Sequence, residues 1–281
     1  MNTAIEETAQ TAAEKPKASK KASVGRKGAH VPPKKGKAAK HAGPTKKAPK
    51  AAKEKGTRDG SKAAKILELL KRPDGATLSE LMKATGWQVV AVPGLIPDAV
   101  FFDHLAHRRF VAGNFIRRVD QIDYLEEPDV FHDVFGHVPL LALPDFADYM
   151  QAYGRGGLRA VTLGAIDRLS RLYWYTVEFG LVRSRDGLRI YGSGIASSRG
   201  ETVFALENPA PRRIGFDLER VMRTPYRIDD FQQCYFVIDS FADLRRRTEG
   251  PDFAPIYERL GSLPDIDPGV TLPEDQLYAA Q

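Results

Sequence analysis

The chain has a single cysteine, Cys234, so no disulfide can form within it, which fits a reducing compartment. Its setting, Phe231-Gln232-Gln233-Cys234-Tyr235-Phe236-Val237, reads as a buried strand or helix, and the thiol as a core group. No apolar run approaches the length of a membrane span. The N-terminus opens with Glu6 and Glu7 and lacks the apolar stretch of a signal peptide. These absences lead to the expectation of a cytoplasmic protein. Internal repeats are missing too, which excludes a solenoid or propeller.

Aromatic residues are absent from positions 1–60, and branched apolar residues such as Val24 and Val31 are few. Such a segment cannot bury enough apolar surface to offset its ordering entropy, so it should be a disordered Lys/Ala/Pro-rich tail. The formal charge of +6 divides unevenly: residues 1–62 hold 17 Lys/Arg against 5 Asp/Glu, and the remainder is mildly acidic. The tail is read as a solvated segment. The alternative is a counterion-releasing, sequence-independent contact with nucleic acid, since nothing in it can stack on bases.

Residues 62–71 have helical periodicity, broken by Pro73-Asp74-Gly75. Thr77-Leu78-Ser79-Glu80 has capping-box spacing, and Gly86 ends the helix it opens. This two-helix fragment, 61–88, belongs to a stretch, roughly 55–88, that resembles the start of a small bacterial winged-helix-like domain, without its third helix and wing. Two helices bury too little surface to stand alone, so the fragment must dock on something or stay loose. Val89 to Pro97 reads as a strand entering a turn, and Phe101 to Arg109 as a helix. Residues 158–182 carry apolar side chains at helical spacing and predict one long buried helix. Arg189-Ile190-Tyr191 is strand-like, a helix is expected near Phe216–Met222, and Asp230–Arg246 reads as mostly helical. The Pro-rich segment after Gly261 should be loosely held. The fold class expected is mainly α with a few short strands.

Six histidines are present. His30 and His41 fall in the tail, and His104 and His107 read as ordinary core or surface residues. His132 and His137 differ, in Val130-Phe131-His132-Asp133-Val134-Phe135-Gly136-His137-Val138-Pro139. An i, i+5 spacing does not suit one face of a regular helix. Gly136 and Pro139, however, imply that the helix ends there, letting the second imidazole swing towards the first. Glu178 lies between Val177 and Phe179, with Trp174 four residues before it. A buried carboxylate in such company needs a cation. That cation is either an arginine or a divalent metal shared with the two histidines. Two imidazoles and one carboxylate form the facial triad of non-haem Fe(II) oxygenases, which leaves coordination positions open.

Longer strings then coincide. Val92-Pro93-Gly94-Leu95-Ile96-Pro97, Glu127-Pro128-Asp129-Val130-Phe131-His132, Tyr173-Trp174-Tyr175-Thr176-Val177-Glu178-Phe179-Gly180, Tyr191-Gly192-Ser193-Gly194-Ile195-Ala196-Ser197-Ser198 and Asp239-Ser240-Phe241 together resemble the catalytic domain of the pterin-dependent aromatic amino-acid hydroxylases. The likeness runs from about Thr85 to Pro255 and is greatest to the bacterial members that hydroxylate phenylalanine. The resemblance implies a catalytic domain over 89–281, without the helices that usually precede it in bacterial members. It implies Fe(II) and a tetrahydropterin as cofactors, with L-phenylalanine and O₂ as substrates and L-tyrosine as product, a step of phenylalanine catabolism.

Carried over by position, the resemblance makes His132, His137 and Glu178 the iron ligands. Arg117 and Ser197 hold the substrate carboxylate, and Trp174 and Phe179 wall its ring. Phe101 stacks on the pterin, with Gly94, Leu95 and Ile96 along its edge and Asp133 nearby. Glu201 is a supporting acid behind the site. Ile228 stands beside the pocket where tyrosine hydroxylases tend to carry an acid. The competing reading is a non-enzymatic, DNA-associated protein carrying an inactive hydroxylase remnant.

Overall fold

The structure, a computed structural model, describes residues 62–281 apart from 95, 120–127 and 229. The expected tail, its proposed nucleic-acid contact and Leu95 lie outside the described residues. Two short helices come first, α1 (Lys62–Leu70) and α2 (Leu78–Thr85). The capping box forms as its spacing predicts: Thr77 accepts from the Glu80 N–H, and the Glu80 side chain reaches back to the Thr77 N–H. Gly86 closes α2 in the left-handed region, φ 75°. No wing follows. Instead β1 (Gln88–Val92), α3 (Asp98–Ala106) and β2 (Arg109–Gly113) form a unit whose two strands pair in parallel. The two-helix fragment is docked: Ile66, Leu81 and Trp87 belong to the same apolar core as Phe102, Phe110 and Phe146.

The next stretch corrects the expectation that a helix ends at His137. Residues His132–His137 form a π-helix, π1, followed by a 3₁₀ turn, Val138–Ala142. The wider π turn bonds i to i+5, so it places residues five apart over one another. Helix α4 (Pro144–Leu163) starts with proline at its first position and stops at Gly164, φ 64°. The single helix expected over 158–182 is therefore four elements. After Gly164 come α5 (Ile166–Tyr173), a second π-helix, π2 (Trp174–Glu178), and β3 (Gly180–Ser184). Apolar periodicity runs through all four because each buries a face, and only the left-handed glycine marks the break.

The rest builds the second sheet. In order come β4 (Gly187–Ile190), α6 (Ser193–Ala196), α7 (Arg199–Glu207), β5 (Arg212–Gly215), α8 (Leu218–Met222), β6 (Cys234–Ile238), α9 (Phe241–Glu249), α10 (Phe253–Gly261) and β7 (Leu277–Tyr278). Strand order is β4-β3-β6-β5-β7, parallel at β3/β6 and β6/β5 and antiparallel at both edges. Residues Asp230–Arg246, expected to be mostly helical, thus begin with the central strand. All five residues of β6 are buried, and a fully buried strand shows no alternation to distinguish it from a helix. Cys234 is buried in it. The segment after Gly261 is not loose either: β7 pairs with β5, Ile266 is buried, and Asp275 meets the buried Arg220 at 3.2 Å. No described helix is long and apolar enough to cross a membrane.

Helices α3 and α4 touch backbone to ring. A Cβ on Gly157 would enter the Phe102 ring, and one on Gly154 would meet the backbone at Leu105 and Ala106. Gly157→Ala should therefore destabilise the fold by about 1–3 kcal/mol, despite alanine's better helix propensity. The shift of the urea unfolding midpoint checks this; no shift would mean the helices can slide apart freely.

Candidate metal centre and its surroundings

Both histidines come from π1 and the carboxylate from the last residue of π2. His132 Nε2 lies 3.3 Å from Glu178 Oε2, and His137 Nε2 lies 3.3 Å from Glu178 Oε1. The two Nε2 atoms are 3.2 Å apart. Among the described residues this is the group of histidine, cysteine and acidic side chains gathered closely enough to hold a metal. The partners that Glu178 meets are the two imidazoles, in place of the arginine left open by the sequence. Burial pushes the Glu178 carboxyl up, but His137 and His132 outweigh it and hold it below the usual carboxylate range. Burial likewise depresses the His132 imidazole, and Glu178 beside it more than reverses this. Three converging donors, two nitrogen and one oxygen, suit a divalent transition metal better than a proton shared among them.

A cleft opens beside the triad. Gly94, Ile96, Phe101 and Asp133 line it together with Tyr173, His132, His137 and Glu178, so all the described residues expected along a pterin converge there. Apolar walls with one carboxylate besides the triad's own, that of Asp133, fit a flat heterocycle bearing N–H groups. Asp133 is buried and accepts the Gly113 N–H at 2.7 Å; burial pushes its carboxyl up. Phe101 meets Tyr173 edge-on, with centroids 5.9 Å apart.

Arg117 sits on a support the sequence reading had not singled out. Its Nε and Nη2 donate to the two oxygens of Asp129 at 2.9 and 2.8 Å, and Nη1 donates to the Ser197 carbonyl at 3.2 Å. Asp129, fully buried, also accepts the His132 N–H at 2.9 Å. One carboxylate thus ties the guanidinium to the first turn of π1. Its signal in the sequence was an acid one helical turn before the first histidine. Burial would raise the Asp129 carboxyl, but Arg117 and two backbone N–H groups hold it at about 2 against the usual 3.8. A depressed folded-state pKa contributes stability above the unfolded value and loses it on acidification. The pair should therefore add about 2 kcal/mol that persists down to about pH 4 and fades towards pH 2. Urea unfolding of the parent and Asp129→Asn across that range reads it; a stability gap independent of pH would refute the charge argument.

Trp174 is clamped between Tyr226, 4.2 Å away and nearly parallel, and Phe179 at 4.8 Å. Its indole N–H donates to Gln232 Oε1 at 3.1 Å. Gln232 in turn donates its backbone N–H to the buried Glu201, which also accepts from the Tyr235 hydroxyl. Glu201 therefore backs the Trp174 wall through Gln232. Ile228 is half-buried two residues beyond Tyr226 and is not among the residues lining the cleft. The Ser197 hydroxyl lies 2.8 Å from His132 Nδ1, and its carbonyl accepts from Arg117 Nη1.

Comparison with known proteins agrees with this arrangement. The family described as biopterin-dependent aromatic amino acid hydroxylase matches residues 71–256. A phenylalanine-4-hydroxylase of Ralstonia nicotianae is 64% identical over 200 residues, which are 71% of this chain and 64% of that protein. One of Caulobacter vibrioides is 65% identical over 204 residues, 72% of this chain and 69% of that protein. The iron- and phenylalanine-bound crystal structure of phenylalanine hydroxylase from Chromobacterium violaceum superposes with a TM-score of 0.70 at 51% identity, covering 77% of this chain and 81% of that one.

Proposed function

This chain belongs to the biopterin-dependent aromatic amino acid hydroxylases, and we propose that it is an Fe(II)- and tetrahydropterin-dependent monooxygenase converting L-phenylalanine to L-tyrosine. The observation that carries the reading is the convergence of His132, His137 and Glu178 beside a cleft lined by Phe101 and Asp133. His132, His137 and Glu178 would hold the iron on one face, leaving the opposite face for oxygen and substrate. When bound, iron and the reduced pterin supply the activation of O₂ for insertion of one oxygen atom into the aromatic ring.

The chain's own residues bind, orient and exclude water. Arg117, held flat by Asp129, presents its remaining N–H groups to an amino-acid carboxylate, a planar task that guanidinium suits. Trp174, fixed by Tyr226, Phe179 and Gln232, walls the substrate ring, and Phe179 extends that wall. Phe101 offers a face for the pterin, with Gly94 and Ile96 along its edge, and Asp133 an acceptor for its N–H groups. With Nε2 turned to the metal, His132 donates its Nδ1–H to Ser197, which keeps the ring oriented and leaves the serine O–H to donate to the substrate carboxylate. Such positioning lowers the barrier by holding reactants in register.

Two measurements test the reading together: about one iron per chain in anaerobically reconstituted protein, and tyrosine formed from phenylalanine only when reduced pterin is present. Absence of both would overturn it. Preference between substrates is expected to follow Ile228. An apolar wall gives a phenol hydroxyl no partner, and burying that hydroxyl costs roughly 1–3 kcal/mol. Phenylalanine should be favoured over tyrosine by about ten-fold to a hundred-fold. Competition between the two, scored by tyrosine and dihydroxyphenylalanine formed, decides it; equal use would remove Ile228 as a determinant.

A further inference from the structure

Both imidazoles of the triad are held from behind by hydroxyls on one short helix. Ser193 begins α6, and Ser197 follows it one turn later. Ser197 Oγ lies 2.8 Å from His132 Nδ1, and Ser193 Oγ lies 2.7 Å from His137 Nδ1. Ser193 is completely buried. Its hydroxyl has a second neighbour, the carbonyl of Val177, at 3.2 Å. A carbonyl can only accept, so the single hydroxyl proton goes to Val177. The oxygen's lone pairs are then left to accept from His137, which must carry its proton on Nδ1. That leaves the His137 Nε2 lone pair bare and aimed at Glu178.

We infer that Ser193 is a positioning residue of the metal centre: it sets the tautomer of His137 and ties together the two π-helices that carry the ligands. The inference rests on the triad being the metal site. Val177 immediately precedes Glu178, and His137 ends π1, so one hydroxyl bridges the frames of the second imidazole and the carboxylate. Gly136 makes this approach possible. A Cβ at that position would lie 2.7 Å from the Ser193 Cβ and would push α6 away from π1. A side chain at 136 would therefore crowd the serine that reaches the neighbouring histidine. The two imidazole planes stand at 78° to one another, so each ring needs its own support, and α6 supplies both from one turn. Losing an outer hydrogen bond to a ligating histidine commonly costs 10–100-fold in metal affinity, because the ring can then rotate or take the wrong tautomer.

The test is a Co(II) titration of the full-length, metal-free protein, read by the cobalt ligand-field absorption. Ser193→Ala should raise the dissociation constant about 10–100-fold and alter the absorption bands, with little change in far-UV dichroism. Ser193→Cys, which keeps the bulk but accepts weakly, should fall between the parent and Ser193→Ala. Thr176→Val is the control. That buried hydroxyl lies in π2, two residues before Glu178, but bonds to Tyr149 and Leu172, so its loss should lower Tm and leave the cobalt affinity and spectrum unchanged. Dissociation constants for Ser193→Ala and Ser193→Cys within about twofold of the parent would overturn the inference. A parent protein that binds no Co(II) would instead overturn the metal-centre reading on which it rests.

Discussion

His132→Ala, His137→Ala and Glu178→Ala each remove metal and turnover together. Loss of a ligand should exceed the 10–100-fold cost of losing a hydrogen bond to one, so iron retention and tyrosine formation should each fall by more than about 100-fold. The three changes differ in their effect on the fold without metal. His137 is nearly inaccessible and Glu178 is the shared partner of both imidazoles. Removing Glu178 leaves two imidazoles facing one another with no carboxylate between them. Removing one histidine leaves a buried carboxylate with a single partner, the costlier state. Helix content should nevertheless survive in all three, because the π-helices are flanked by core contacts at Tyr173, Tyr175 and Val177 rather than held by the ligands alone. Iron analysis beside dichroism reads both. Full iron occupancy in all three variants would refute the ligand assignment.

Arg117→Ala is expected to raise the Michaelis constant for phenylalanine far more than that for the pterin. Truncating one partner of a charge-assisted pair costs about 2–5 kcal/mol, which is roughly 30-fold to a few thousand-fold. The structure adds a complication that the sequence did not disclose. Arg117 neutralises the fully buried Asp129, so the single variant also strands a carboxylate, at about 3–5 kcal/mol of stability. The double variant Arg117→Ala, Asp129→Ala separates the two effects. It should recover much of the lost Tm, because no charge is left unpaired, and none of the lost affinity for phenylalanine. If the double variant regained phenylalanine affinity along with stability, Arg117 would be a structural cation and not the substrate's anchor.

The sequence by itself determined the donor set, the cap chemistry and the family. Two histidines five apart, with a carboxylate in an apolar run further on, already demanded a cation, because a buried charge cannot be left alone. Thr77, Glu80 and Gly86 act over one helical turn, so their cap was legible locally. What spans distant segments was not. The five-residue spacing of His132 and His137 looked like a helix ending, whereas the chain continues as a π turn whose width depends on what packs around it. The central strand at Cys234–Ile238 shows no alternation because the tertiary structure covers both its faces. The segment after Gly261 looked loose because its anchors are remote: Asp275 finds Arg220, and Leu277–Tyr278 finds an open sheet edge. Asp129 under Arg117, Gln232 on Trp174 and Ser193 behind His137 are likewise hydrogen bonds between segments far apart in the chain. Apart from Asp129, placed one turn before His132, their residue types carry no local pattern, so only the folded arrangement decides that those side chains orient the groups the sequence had already named.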